Sequence, residues 1–148
     1  MTISVMAQNE IFLGNNKFSI PTNWVTAKTN LDSIVLRSPS TKQQATISIL
    51  QFGSDASFED FKRLCDKRLE AEKKESSNVF IEPSEPFKSG EKFGMFYSGG
   101  DKKAGRMFSG FLSLNKRELT TIYVESIGAD SVSHLKTFQE FVKGMKPR

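Results

Sequence analysis

Alternating apolar and polar positions divide the chain into short strands, broken twice by runs of helical spacing. Ile11-Phe12-Leu13 and Lys17-Phe18-Ser19-Ile20 flank Gly14-Asn15-Asn16, residues that tolerate positive φ, and predict a small hairpin. Pro21-Thr22-Asn23-Trp24 breaks the second arm. Ser33–Arg37 reads as the next strand, Ser38–Lys42 as a turn, and Ala45–Phe52 as a strand rich in β-branched residues that ends at Gly53.

The period then changes. Phe58, Phe61, Cys65 and Leu69 recur at helical spacing, while Glu59, Lys62, Arg63, Asp66, Lys67 and Glu70 fill the opposite face. Ser57 three residues before Asp60 has capping-box spacing, so the helix is predicted from Ser57 to Lys74. Val79–Glu82 with Pro83 and Pro86 reads as an edge strand, and Lys88–Glu91 as a turn. Phe93–Ser98 is a strand. Arg106–Leu114 alternates cleanly, with Phe108, Gly110, Leu112 and Leu114 on one side and Met107, Ser109, Phe111 and Ser113 on the other. A tight turn at Asn115-Lys116 leads into Leu119–Ile127. Asp130 or Ser131 caps a last helix with Leu135, Phe138, Phe141, Val142 and Met145 as its stripe and Pro147 as its end. Strands, helix, strands, helix: the pattern predicts an α+β domain with a largely antiparallel central sheet and two main helices packed on it. Residues 11–148 are assigned to that single domain.

The first ten residues stand apart. Val5-x-Ala7 matches the small-residue pattern of a signal-peptidase site, but no basic region precedes it and the apolar part is too short for a complete signal. Residues 1–10 are assigned as a disordered segment and read as a signal-peptide remnant. No apolar run reaches the length of about 20 residues that a membrane-spanning helix needs.

Composition narrows the chemistry. With 37% hydrophobic and 26% charged residues the chain has the balance of a globular protein, and 13 Phe against one Trp and two Tyr point to a core built on rings that need no hydrogen-bond partner. The net charge of +4 comes from 21 basic and 17 acidic residues interleaved along the chain, unlike the concentrated stripe of a nucleic-acid binder. Cys65 is the single cysteine and lies on the apolar side of its helix, so no internal disulfide or cysteine metal cluster exists.

Candidate catalytic residues are few. His134 is the single histidine, in the first turn of the last helix, and is read as a partly exposed surface residue. Glu59/Asp60, Glu70/Glu72 and Glu82/Glu85 are the close carboxylate pairs, read as solvated faces. No His, Cys or Asp cluster has metal-ligand spacing. Trp24 is read as covering the rim of the core. The remaining motif is Ser98-Gly99-Gly100-Asp101-Lys102-Lys103-Ala104-Gly105-Arg106. It is not a P-loop: its glycines are one residue too close, Arg106-Met107 stands where Lys-Ser/Thr belongs, and a strand rather than a helix follows. It is a strand-to-strand loop, either a solvated turn or a contact loop for an acidic partner through Lys102, Lys103 and Arg106.

Phe18-Ser19-Ile20-Pro21-x-x-Trp24 resembles the F-x-I/L-P-x-x-W opening of the Mog1/PsbP-like superfamily, which includes DcrB-like bacterial proteins. The helix opening Ser57-Phe58-Glu59-Asp60-Phe61, the two long strands and the closing Leu135-x-x-Phe138-x-x-Phe141-Val142 follow in the same order. The resemblance runs from Phe18 to Met145. It implies a sandwich with a central antiparallel sheet, no catalytic set, no cofactor and a non-enzymatic role. Two roles follow: a protein-binding module of the bacterial envelope, periplasmic, acting as an immunity or assembly protein, or a cytoplasmic chaperone for a type VI secretion effector.

Overall fold

The alternating segments pair mostly with their neighbours in the chain, and the pairing builds two sheets. A computed structural model describes residues 9–148; Val5 and Ala7 of the expected signal remnant lie outside the described residues. Asn9 and Glu10, assigned above to a disordered segment, are strand residues, because they complete the first hairpin opposite Ile20 and Ser19. That hairpin joins β1 (Asn9–Leu13) to β2 (Asn16–Ile20) around Gly14 at φ +60°.

β3 (Val25–Thr29), β4 (Ser33–Arg37) and β5 (Gln43–Gln51) form the next meander. α1 (Phe58–Lys73) follows, then β6 (Val79–Pro83), β7 (Phe87–Ser89), β8 (Lys92–Asp101), β9 (Arg106–Asn115) and β10 (Glu118–Ile127). α2 (Ser131–Lys143) and β11 (Met145–Pro147) close the chain. The main sheet has the order β3-β4-β5-β10-β9-β8-β6, with β7 also on β8, and every pairing among the described residues is antiparallel. The small sheet has the order β1-β2-β11.

Each face of the main sheet is covered by one helix. On the first, α1 sets Phe61 and Cys65 against Met95, Tyr97, Phe108, Leu112 and Leu114. On the second, Phe138 and Phe141 of α2 join Phe18 and Ile20 of β2 over Ile34, Leu36, Ile47, Ile122 and Val124. The alternation read along β9 therefore sorts its residues between two cores. Burial of side chains this size contributes roughly 1.5–3 kcal/mol each, so the two clusters supply the main driving force.

Local chemistry fixes the helix ends. Ser57 Oγ accepts from Asp60 N and Asp60 Oδ2 from Ser57 N, both at 3.1 Å, which completes the expected capping box. Asp130 caps α2 by accepting from Ser133 N at 2.8 Å. The end of α2 differs from expectation: the helix stops at Gly144, whose Cα side lies against Ser19, and Met145 and Pro147 form a strand on β2. A Cβ at Gly144 would sit 2.8 Å from the Ser19 carbonyl oxygen, so the close approach requires glycine. Trp24 packs edge-on against Phe141, with ring centroids 4.9 Å apart, at the border of the second core. No helix among the described residues is long and apolar enough to cross a membrane.

Candidate functional site

The glycine-rich loop is shorter than its sequence implies. β8 runs to Asp101 and β9 starts at Arg106, so only residues 102–105 turn. Asp101 is buried and its Oδ1 accepts from Lys103 N at 3.0 Å and Ala104 N at 3.2 Å. The amides that an anion would need are thus held by the chain's own carboxylate, which agrees with the rejection of a phosphate cradle.

The three basic residues of that motif do not converge. Lys102 and Lys103 are exposed at the tip, and Lys102 Nζ lies 5.6 Å from the Phe80 ring centroid on the α2 side of the sheet. Arg106 turns to the α1 side, where its side chain is 14% exposed. Its Nε donates to Glu125 Oε1, its Nη2 donates to Tyr123 Oη at 2.8 Å and pairs with Glu75 Oε2 at 3.1 Å. The guanidinium also covers the Phe108 ring.

Arg106 belongs to a charged cluster at the C-terminal end of α1. Arg68 Nε donates to Tyr97 Oη at 3.0 Å, and that hydroxyl donates to Glu72 Oε2 at 3.3 Å. Burial raises the Glu72 carboxyl above the usual carboxylate range, opposed by the nearby Arg68 charge. Burial likewise pushes the Tyr97 and Tyr123 hydroxyls above their ordinary range. A shallow cleft of about 460 Å³ is lined by Arg68, Glu72, Glu75, Arg106, Tyr123 and Glu125. Its guanidinium and carboxylate groups largely satisfy one another, so the cluster works as a clamp between α1 and the sheet. Of the close carboxylate pairs expected as solvated faces, Glu72 departs, being buried against Tyr97 while Glu70 is exposed; Asp60 serves the helix cap, and Glu82 and Glu85 are exposed near the β6 edge.

His134 corrects the reading of a partly exposed surface residue: it is 2% exposed. The inward stripe of α2 is His134, Phe138 and Phe141, so the histidine faces the sheet and Leu135 is left exposed. Its Nδ1 is 2.7 Å from Ser126 Oγ and its Nε2 is 2.9 Å from Ser109 Oγ. Ser109 continues to Ser98 at 2.7 Å, and Gln43 Nε2 donates to Ser126 Oγ at 3.1 Å. Burial lowers the His134 pKa, and the Phe108 backbone acts weakly in the opposite direction. A serine beside an imidazole is the start of a nucleophilic pair, but Ser109 is fully buried and a serine, not a carboxylate, occupies the orienting position. The chain of hydroxyls fastens α2 to β9, β10 and β5. Cys65 is buried as well, and burial pushes its thiol up to about 12, far from a reactive range.

What the fold leaves open is an aromatic row. Gly94, Phe96, Ser98 and Gly100 of β8 share the α2 side, but α2 covers β9 and β10 and stops short of the β6–β8 end. Phe87 lies over Gly94 and stacks on Phe96 at 5.9 Å; Phe96 stacks on Phe111 at 4.5 Å and meets the edge of Phe138 at 6.3 Å. Phe80 packs over Gly100 beside Lys102. Phe80, Phe87 and Phe96 are each more than a third exposed. Sequence reasoning missed this row because Phe80, Phe87 and Phe96 lie in three strands whose pairing was not predicted. The signal was present in the abundance of Phe beside glycines.

No protein-family model matches the sequence, and no curated protein matches it. Solved structures do match in fold. The solution structure of cyanobacterial PsbP (CyanoP) from Synechocystis sp. PCC 6803 aligns with a TM-score of 0.72 at 12% identity, covering 99% of this chain and 95% of that one. A crystal structure from Bacteroides thetaiotaomicron VPI-5482 aligns with a TM-score of 0.51 at 12% identity, covering 90% of this chain and 45% of the other. The chain has the Mog1/PsbP-like fold that its opening motif resembles.

Proposed function

We propose that this protein is a non-catalytic module that binds another protein, and that it works in the bacterial envelope as an immunity or assembly factor. The observation that carries the reading is the row Phe80, Phe87 and Phe96, exposed on a rigid sheet next to α2. Aromatic residues, Phe among them, are enriched at protein interfaces relative to the rest of a protein's surface. Lys102 and Lys103 rim the row and add an electrostatic contact for an acidic partner. Arg106, held on the opposite face, takes no part. The histidine and carboxylates that chemistry would need are engaged in fastening the helices.

The same row is the apolar surface that a cytoplasmic chaperone for a secreted effector would need, so the second role rests on it too. Cell fractionation separates the two. For binding itself, the Phe80→Ser/Phe87→Ser variant is compared with wild type in capture from periplasmic and cytoplasmic extracts. A partner retained by wild type and lost by the variant, at unchanged melting temperature, is the expected result. Identical recovery by both proteins contradicts the assignment of the row.

A further inference from the structure

The outer side of the small sheet carries a patch of different character. β2 turns Phe18 and Ile20 inward, and alternation turns Phe12, Lys17 and Lys146 outward. Register places them in one row across three strands, Phe12 opposite Lys17 and Lys17 opposite Lys146. Phe12 is 58% exposed, and the Arg148 guanidinium lies 5.0 Å from its ring centroid. Lys17 has one carboxylate, Glu10 at 3.8 Å. Among the described residues, Lys146 and Arg148 have no acidic partner within ion-pair distance.

Like charges directly opposite on paired strands repel, so the stability of the isolated chain favours an acid at position 17 or 146. An exposed Phe in the same row leaves apolar area in water. Both features are unfavourable alone, and both become favourable when an anionic chain carrying apolar side chains covers the row.

We propose that this face docks an extended acidic segment of a partner protein. Lys17, Lys146 and Arg148 pair with its carboxylates, and an apolar side chain between them packs on Phe12. Neighbouring strands stand about 4.8 Å apart, so one segment crossing them meets the whole row. The Arg148 fork suits a carboxylate. A bilayer fits less well: one ring, partly covered by Arg148, gives little area to insert. A nucleic-acid backbone fits less well because the cations form a short patch bordered by Glu10. The face lies on the other side of α2 from the aromatic row and stands on its own observations.

The test uses the whole chain and a short fluorescent peptide rich in Glu with interspersed Leu, read by anisotropy at low ionic strength. Saturable binding that weakens with added salt is expected. Lys146→Glu is expected to weaken it at least about tenfold, and Lys67→Glu, the same change of charge on the exposed side of α1, to leave it within about twofold. Because Lys146→Glu sets an acid opposite Lys17, its melting temperature is expected to equal or exceed that of wild type, which separates lost binding from lost folding. The proposal is overturned by absent peptide binding, by equal binding of Lys146→Glu and wild type, or by a lowered melting temperature in that variant. Tighter binding to phosphatidylglycerol vesicles, or to a single-stranded DNA of equal charge, than to the peptide also overturns it.

Discussion

His134 and Ser126 meet through a 2.7 Å contact between Nδ1 and Oγ, and this contact ties the first turn of α2 to the last strand of the main sheet. With Ser109 on the other ring nitrogen, the imidazole bridges two strands from inside the fold. A neutral ring suits that position, since it supplies one donor and one acceptor to two hydroxyls.

The contact gives stability a pH dependence. Burial lowers the His134 pKa below its ordinary value of 6.5, so the unfolded chain binds the proton first. The neutral ring's contribution is complete above pH about 6.5 and is lost as pH falls through the folded-state value. Glu72 acts with opposite sign, because its raised pKa favours the folded state as acid is added. Urea unfolding of wild type and His134→Gln across this range isolates the histidine. The variant is expected to be less stable at pH 7, by roughly 1–3 kcal/mol, and to have the shallower decline below it.

Gly110 sits under the Tyr97 ring, and a Cβ there would overlap the ring carbons and the hydroxyl. Gly110→Ala is expected to displace Tyr97 and break the Arg68–Tyr97–Glu72 chain together. Overpacking of this kind costs about 1–3 kcal/mol, which for a chain of this size lowers the melting temperature by roughly 2–4 °C per kcal/mol. Scanning calorimetry reads it directly.

Glu118 joins the two sheets. It is buried, and its carboxylate accepts from Asn15 N at 2.9 Å and from Gln51 Nε2 at 2.7 Å. Glu118→Gln keeps one oxygen for these donors and is expected to cost about 1–3 kcal/mol. Hydrogen exchange at Asn15 is expected to quicken in the variant more than exchange in β9 or β10.

Much of the framework was legible in the sequence because it rests on local signals. The capping box at Ser57 and Asp60, the alternation through Arg106–Leu114 and the turn at Gly14 each act within a few residues. β3, β7 and β11 were not legible. β3 is exposed throughout and carries no apolar alternation, while β7 and β11 are three residues long and exist through pairing with β8 and β2. The candidate sites are non-local in the same way. His134 reads as a surface residue until Ser109 and Ser126 arrive from two strands, and Arg106 reads as a loop cation until Glu75 and Glu125 close on it.

Lys102 and Lys103 form the exposed tip of the turn that Asp101 holds from beneath. Reversing both to Glu is expected to leave the melting temperature unchanged and to weaken partner capture by the aromatic row, more so at low salt. Equal capture at low ionic strength removes the tip from the interface.

The central claim is that the β6–β8 end of the sheet is a protein-binding surface, and photo-crosslinking inside cells tests it most directly. A photoreactive phenylalanine analogue at position 87 is compared with the same analogue at position 67, on the exposed side of α1. A discrete adduct from position 87, absent at 67 and lost when Phe80 is also replaced by Ser, is the predicted result. No adduct at position 87, or the same adducts from both positions, contradicts the account.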